Sequence, residues 1–467
     1  MRSKIQVDDW SKAILFLILL IQLLFINGLY LITCTLCFLV IIYNLQQPHK
    51  TSVFSILLIY HFVQIISGVI LSTYLGIDIN AFTANMGPAT LLSLIGLICL
   101  FSPIIYFQNK MPAINFGTLK KHSYQLSINR TYYAYIVAFV VVFLLTAIQF
   151  FYAGFAQVIT SIIKIKWFFF LIFGFQSLIK KKRRKEFYLF ILIEILIGFA
   201  SFFSEFKTVL LFVSVIYLTF LVEITRKRMI AAIFFGSMLV IAMLFWTSIK
   251  SEYRAFLNKG SSTQSVQVSK NEALTKLYEI SSSRQNSSYG SATSTLLERL
   301  AATQNFALTI SRVPSIIPFQ NGNNLYQTLQ FTLTPRLLNP NKRVIDFSEK
   351  VSKYTGIAHA GMTQGTSFSL GYFVDCYIDF GAFGMMIPLL LLGFIYGYIY
   401  FHIIKHSSKN FIINYSLACS LFMEFYAVEM DLTYLIGRFF ASLLVFFLFQ
   451  KFFFTSLVRY LSVPDKD

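Results

Sequence analysis

The sequence predicts an all-α polytopic membrane protein, with about twelve transmembrane helices and one large outer loop between the ninth and tenth. Three observations lead to that class. Apolar residues make up 56% of the 467 residues and charged residues only 13%, with a mean hydropathy of +0.67; soluble domains keep charged residues near a quarter of the chain. The apolar residues fall in runs of roughly 17–25, the length a helix needs to cross a bilayer. Lysine and arginine then cluster at alternate ends of those runs, as membrane orientation demands.

Runs of this length in lipid must be helical, because lipid offers no partner for a free N–H or C=O. The short alternating segments of a β-barrel do not occur. The expected spans are 12–26, 28–45, 51–73, 88–108, 132–152, 166–180, 187–203, 207–224, 229–247, 383–404, 410–428 and 435–456. Only Asn27 and Gly28 separate the first two. The amino-terminal stretch looks like a signal peptide, but it lacks a small-residue cleavage site and reads as a first anchor. Residues 1–247 thus carry nine spans, 248–382 the outer loop, and 383–467 three more spans with a short tail.

Orientation follows from threading the charges. With the amino terminus inside, Lys50, the loop 110–130, the cluster 180–185, Arg226 to Arg228 and Lys405 all face the cytoplasm. The outer turns near 74–87 and 429–434 carry no lysine or arginine, and only Lys164 and Lys166 break the pattern. Both termini then lie inside. The net charge of +19 is explained by this bias and by contact with anionic lipid, which excludes a nucleic-acid partner. The five cysteines show neither a disulfide frame nor a zinc spacing.

The loop is polar and too long for a connector. Its 258–290 part is rich in Ser, Asn and Gln. Thr295 and Glu298 suggest a capping box ahead of helically spaced Leu296, Leu297, Leu300, Ala307 and Ile310. Beyond Pro314 the prolines 318, 335 and 340 predict irregular chain.

The inside bias does not account for outer-face cations: Lys250, Arg254, Arg284, Arg299, Arg312, Arg336, Lys342 and Arg343. Each can be a solvated surface residue. Arg254, close to the membrane, and Arg336, between Pro335 and Leu337, fit better as donors to a phosphate. Lys207 opens the eighth span and Arg438 lies one turn inside the last. Such residues usually face a cavity or a partner, Glu205 for Lys207 and Glu429 or Asp431 for Arg438. Together these cations suggest a site for an anionic group at the outer boundary, with a lipid diphosphate as candidate. Glu194 and Glu424 lie mid-span, as proton-relay residues or as buried hydrogen-bonded groups, and His61 reads as a satisfied core histidine.

Three stretches resemble the Wzy-type polymerases of O-antigen and capsule repeat units. They are Ser204-Glu205-Phe206-Lys207 at the outer start of a span, the segment 334–342 with its Pro335-Arg336 and Pro340…Lys342, and Gly371-Tyr372 through Asp379-Phe380-Gly381 to Gly384. Arg343 stands where that family commonly has proline. The layout, many spans and one dominant late outer loop, is similar over the whole chain.

The resemblance implies a glycosyltransferase in the bacterial inner membrane. Its donor is glycan on undecaprenyl diphosphate, and its acceptor the hydroxyl of a new lipid-linked repeat unit. Membrane lipids and a chain-length regulator are the other implied partners. Fixed cations neutralise the diphosphate leaving group, so neither metal nor cofactor is implied, and the first outer turn has no Asp-x-Asp pair for one. Arg254, Arg336, Lys207 and Arg438 are the expected diphosphate or glycan binders, with Arg299, Lys342 and Arg284 behind them. Glu205, Asp379, Glu252 and His359 are the candidate bases. An O-antigen ligase shares this layout and would draw on His359; a flippase would show internal symmetry and short loops.

Overall fold

The computed structural model describes residues 6–45, 52–112, 114–149, 156–199, 206–221, 223–227, 252–260, 267–283, 301–334, 345–359 and 367–462, with isolated positions 230, 246, 249, 339, 342 and 361. Apart from a two-residue parallel pairing of β1 (Gln6–Val7) with β2 (Glu223–Ile224), these residues are helical or irregular. Among the described residues, seven helices are long and apolar enough to cross a membrane: Gly28–Leu45, Ser52–Tyr74, Met86–Asn109, Ile128–Thr146, Ile159–Lys180, Met386–His406 and Leu432–Leu461.

Of the other expected spans, four are shorter helices. They are α1 (Asp9–Gln22), α10 (Arg184–Phe199), α11 (Phe206–Thr219) and α18 (Phe411–Phe422). At 1.5 Å per residue a 14-residue helix such as α1 reaches only about 21 Å. The fifth, 229–247, lies almost wholly outside the described residues. Where 207–224 was expected to stay helical, α11 ends at Thr219 and the chain turns into β2, which hydrogen-bonds back toward the amino terminus.

One end of the bundle, here the loop end, is stitched by side-chain caps. Between α1 and α2 (Gly28–Leu45), Asn27 donates to Ser72 Oγ and the Ile77 carbonyl and accepts from the Ile79 amide, each at 3.0 Å. That pins the first turn to the turn after α3 (Ser52–Tyr74), which carries α4 (Ile79–Phe82). A Cβ on Gly28 would lie 2.4 Å from the Gln22 carbonyl, so only glycine permits so tight a turn.

The opposite end holds most of the basic residues. There α5 (Met86–Asn109) leads through α6 (Phe116–Tyr124) to α7 (Ile128–Gln149), while α8 (Ala156–Ile163) and α9 (Ile165–Lys180) form one span ending at the 180–185 cluster. Asn410 donates to the His122 carbonyl at 2.8 Å, and Ser127 to the Leu461 carbonyl at 2.8 Å, so α6, α7, α18 and the carboxy-terminal helix close on one another.

The loop contributes α12 (Lys270–Ser283), α13 (Ala302–Arg312), α14 (Asn323–Leu333), α15 (Phe347–Thr355) and α16 (Tyr372–Gly384). Two of these, α14 and α15, stand where irregular chain was expected. Asp346 caps α15 locally through the Ser348 amide at 3.0 Å, whereas the start of α14 is held from a distance, as shown below. Thr295 and Glu298 lie outside the described residues.

Much of this loop is packed into the bundle. Ala301 and Thr303, at the start of α13, lie against Gly68 in the loop-end half of α3. Tyr372 shares a hydrogen bond of 2.6 Å with His61, and Phe373 packs on Gly96. His61 lies 13 residues below the end of α3, a depth of about 20 Å. The chain before α16 therefore descends to mid-height, α16 climbs back, and α17 (Met386–His406) descends beside it. Gly381, at φ 70° and ψ −172°, makes the bend. Irregular backbone is tolerated at such depth only when enclosed by protein, and Leu370 and Tyr372 are buried.

Gly393 and Gly397 bring α17 against α5, where added Cβ atoms would lie 2.1 Å from the Leu100 carbonyl and 3.1 Å from Ile104 Cα. This is the small-xxx-small contact that substitutes for hydrophobic driving force between helices in lipid.

Candidate functional site

Two helix starts meet α15 where the loop enters the bundle. The last span begins as α19 (Leu432–Phe449) and continues through a π turn, Gln450–Phe454, into α20 (Thr455–Leu461). Because α18 and the following turn are short, the chain reverses below the loop end: the Val428 amide donates to Gln64 Oε1 of α3 at 2.8 Å. Asp431 then caps α19 through the Thr433 amide at 2.8 Å.

Lys350 of α15 reaches into this junction. Its Nζ lies 2.6 Å from Asp375 Oδ1 and 2.8 Å from Asp431 Oδ2. The second Asp375 oxygen accepts the Leu432 amide at 2.7 Å. Asp375 is 0% exposed and Asp431 2%. A cation on one loop helix is thus held between a carboxylate of another loop helix, α16, and one at the start of the last span. Burial works against the Lys350 ammonium, but the two carboxylates outweigh it and hold it above the ordinary lysine range. Burial, reinforced by the Asp431 charge, pushes Asp375 up to about 7 despite Lys350.

Asp379, one turn beyond Asp375, accepts from the Asn324 amide at 3.0 Å and the Leu325 amide at 2.7 Å. It thereby caps α14, whose own preceding residue is Gly322 and offers no side chain. Both carboxylate oxygens are engaged, and burial raises the Asp379 pKa. Lys342 closes the other end of α14, donating to the Phe331 and Thr334 carbonyls and lying over the Phe331 ring. Arg438 sits on α19, which packs along α14 through Thr328 and Thr433 at 2.9 Å; its guanidinium lies 4.7 Å from the Tyr434 ring centre.

Lys207 and Arg254 flank a second apolar cluster formed by Phe206, Trp246, Ile249, Tyr253, Leu257, Ala273 and Ile280. Phe206 and Tyr253 both meet Trp246 edge-on, with ring centres 5.5 and 5.7 Å away, and Lys207 and Arg254 are the next residues along their respective helices. Lys207 is exposed, Arg254 half-buried and Glu252 exposed. The structure therefore groups Asp379, Lys342 and Arg438 around α14, and Lys207 with Arg254 around this cluster. Glu205, Arg284, Arg299 and Arg336 lie outside the described residues.

Sequence reasoning missed Lys350 and Asp375, and read Asp431 only as a partner for Arg438. Asp375 and Asp379, four apart in the apolar run 372–380, were the available signal: two acids on one face of a buried helix need partners. Two further buried polar groups, His61 and Glu194, have partners. His61 also bonds the Leu57 carbonyl at 2.7 Å. Glu194 pairs with Lys166 at 2.8 Å and accepts from Tyr135 at 2.8 Å, so one of the two lysines that broke the charge pattern is a buried ion-pair partner. No group of three or more His, Cys, Asp and Glu side chains among the described residues is placed to hold a metal ion.

Seven apolar helices around buried ion pairs, with a polar loop folded back into one end, define a polytopic helical membrane protein. More narrowly, the chain belongs to the family described as "Domain of unknown function (DUF8712)", which matches residues 51–458, from the start of α3 into α20. No curated protein and no solved structure matches the chain.

Proposed function

We propose that this protein polymerises lipid-linked oligosaccharide repeat units at the outer face of a bacterial inner membrane. In this reading it has twelve spans, both termini in the cytoplasm, and its loop end outward. The observation that carries the reading is the docking of the loop into the bundle: loop helices enter it, and the Lys350–Asp375–Asp431 triad ties them to the start of the last span. A substrate with a lipid tail and a polar head needs such a meeting of bundle and polar loop. Ionisable groups buried within a helical bundle are costly and tend to serve function.

The acceptor hydroxyl of a new repeat unit attacks the anomeric carbon of the growing chain's reducing-end sugar. The new C–O bond forms as the bond to undecaprenyl diphosphate breaks, and the electron pair leaves with the diphosphate. Its charge is met by fixed cations. Lys207 and Arg254, each next in sequence to a residue of the second apolar cluster, are the first choice for that role, with Arg336 and Arg438 beside them and Arg284, Arg299 and Lys342 as further binders. The hydroxyl proton passes to a carboxylate or imidazole. Asp379 is occupied by two amides, which favours the other candidates.

A ligase, transferring the finished glycan to a different acceptor, is the second reading. It draws on His359, whose Nε2 is buried and has no hydrogen-bond partner among the described residues. Deleting the gene and resolving surface glycan on a gel separates the two. A polymerase leaves single repeat units and no ladder; a ligase leaves long lipid-linked chains. Arg254→Ala should reproduce the deletion at normal protein levels, and an intact ladder in the deletion strain would end both readings.

A further inference from the structure

The last turn of α17 carries two exposed histidines four residues apart, in the sequence His402-Ile403-Ile404-Lys405-His406. Residues at that spacing share one helical face, with Cβ atoms about 5–6 Å apart. The two imidazole rings lie together, their centres separated by 4.6 Å and their planes inclined by 41°. They end a column of rings that runs down the same face of α17. Phe394 stacks on Tyr398 at 6.3 Å, and Tyr398 meets His402 at 5.8 Å, which restricts the rotamers open to His402.

The backbone beneath this pair is fastened by two other elements. Asn414 of α18 donates to the Ile404 and Ser408 carbonyls at 2.9 and 3.0 Å. Gln450, which opens the π turn of the last span, donates to Ser407 Oγ at 3.2 Å. Two side chains on so fixed a turn lose little freedom when they bind one ligand together. Lys405, between them in sequence, lies on a different face with its ammonium 5.4 Å from the Phe401 ring centre. The carboxy-terminal end of a helix is itself favourable for a cation.

We propose that His402 and His406 chelate one divalent transition-metal ion of the zinc, nickel or copper class. Two imidazoles four residues apart on one helical face are the arrangement that helical zinc sites use. A metal–nitrogen distance of about 2.0–2.1 Å needs the two ligating nitrogens about 3 Å apart. Rings already 4.6 Å apart reach that by turning about their Cβ–Cγ bonds, a soft torsion. Among the described residues no third His, Cys, Asp or Glu joins the pair, so water completes the coordination. Nitrogen donors without carboxylates discriminate against magnesium and calcium, which take oxygen ligands. The bound ion staples the last turn of α17, and it does so whether or not the polymerase reading holds.

The test uses the untagged full-length protein in detergent, titrated with zinc against a competing chromophoric chelator in excess magnesium. The expected result is saturable binding of one zinc per chain. His402→Gln and His406→Gln should each weaken it about ten- to hundredfold, because a single imidazole loses the chelate effect. Lys405→Gln, on the other face, should keep it. With one equivalent of copper(II), electron paramagnetic resonance should show two imidazole nitrogens in the wild type and one in either histidine variant. At a zinc concentration of about 100 Kd, amide exchange over 403–407 should slow by up to about a hundredfold. Absence of stoichiometric zinc binding overturns the proposal. So does an affinity or a nitrogen count that the two histidine variants leave unchanged, which would mean that the ion is held elsewhere.

Discussion

Replacing Lys350 with methionine should detach α15 from the bundle. The ammonium lies 2.6 and 2.8 Å from two carboxylates that are almost wholly buried. Removing it leaves those charges facing each other out of water, with only the Leu432 and Thr433 amides as donors. Breaking a buried ion pair from one side costs about 3–5 kcal/mol, or about two to four powers of ten in the docking equilibrium. Hydrogen exchange across 345–359, in detergent or nanodiscs, reads that equilibrium directly. Exchange should speed up by at least a hundredfold in Lys350→Met, and Asp375→Asn in the same chain should recover part of the loss by discharging one carboxylate. Wild-type protection in Lys350→Met would refute the reasoning.

Four further outcomes follow from the same geometry. A raised carboxylate stabilises the fold when protonated, so the Asp375 contribution is full below its ordinary value of 3.8 and is lost as pH rises through about 7. Protection of α15 should therefore fall across that window, by at most about 1.4 kcal/mol per pH unit, and Asp375→Asn should flatten the profile; Lys350, held above its ordinary range, stays charged throughout. Asp379→Ala removes both amide acceptors from the start of α14 and should destabilise it by about 1–2 kcal/mol, seen as faster exchange at Asn324 and Leu325. Gly393→Leu, forced against the Leu100 carbonyl, should part α17 from α5 and lower the melting temperature at a cost of about 1–3 kcal/mol. Lys166→Met should leave Glu194 with only the Tyr135 hydroxyl, costing about 3–5 kcal/mol by detergent unfolding, and Glu194→Gln added to it should recover most of that.

The spans from α2 to α5 and from α17 to the carboxy terminus were legible because long apolar runs carry their own boundary signals. Residues 28–45 and 51–73 were expected, and α2 and α3 run Gly28–Leu45 and Ser52–Tyr74. The loop was less legible, for a physical reason. The start of α14 depends on Asp379, more than fifty residues away, and no local pattern announces such a cap. The same holds for the triad, where Lys350, Asp375 and Asp431 are far apart in sequence and each alone looks ordinary. Apolar content also hid how α16 is used: the run 372–384 resembles the lead-in to a span, whereas it forms a half-height helix bent back at Gly381. Of the expected site residues, Lys207 and Arg254 adjoin Phe206 and Tyr253, which share Trp246 as a packing partner.

The central claim, that this protein joins lipid-linked repeat units, is tested most directly by purified protein in proteoliposomes supplied only with undecaprenyl-diphosphate-linked repeat units. Chromatography of the released glycan should show a ladder of lengthening chains, with free undecaprenyl diphosphate formed once per added unit. Repeat units that remain single, with no undecaprenyl diphosphate released by folded protein, would contradict it.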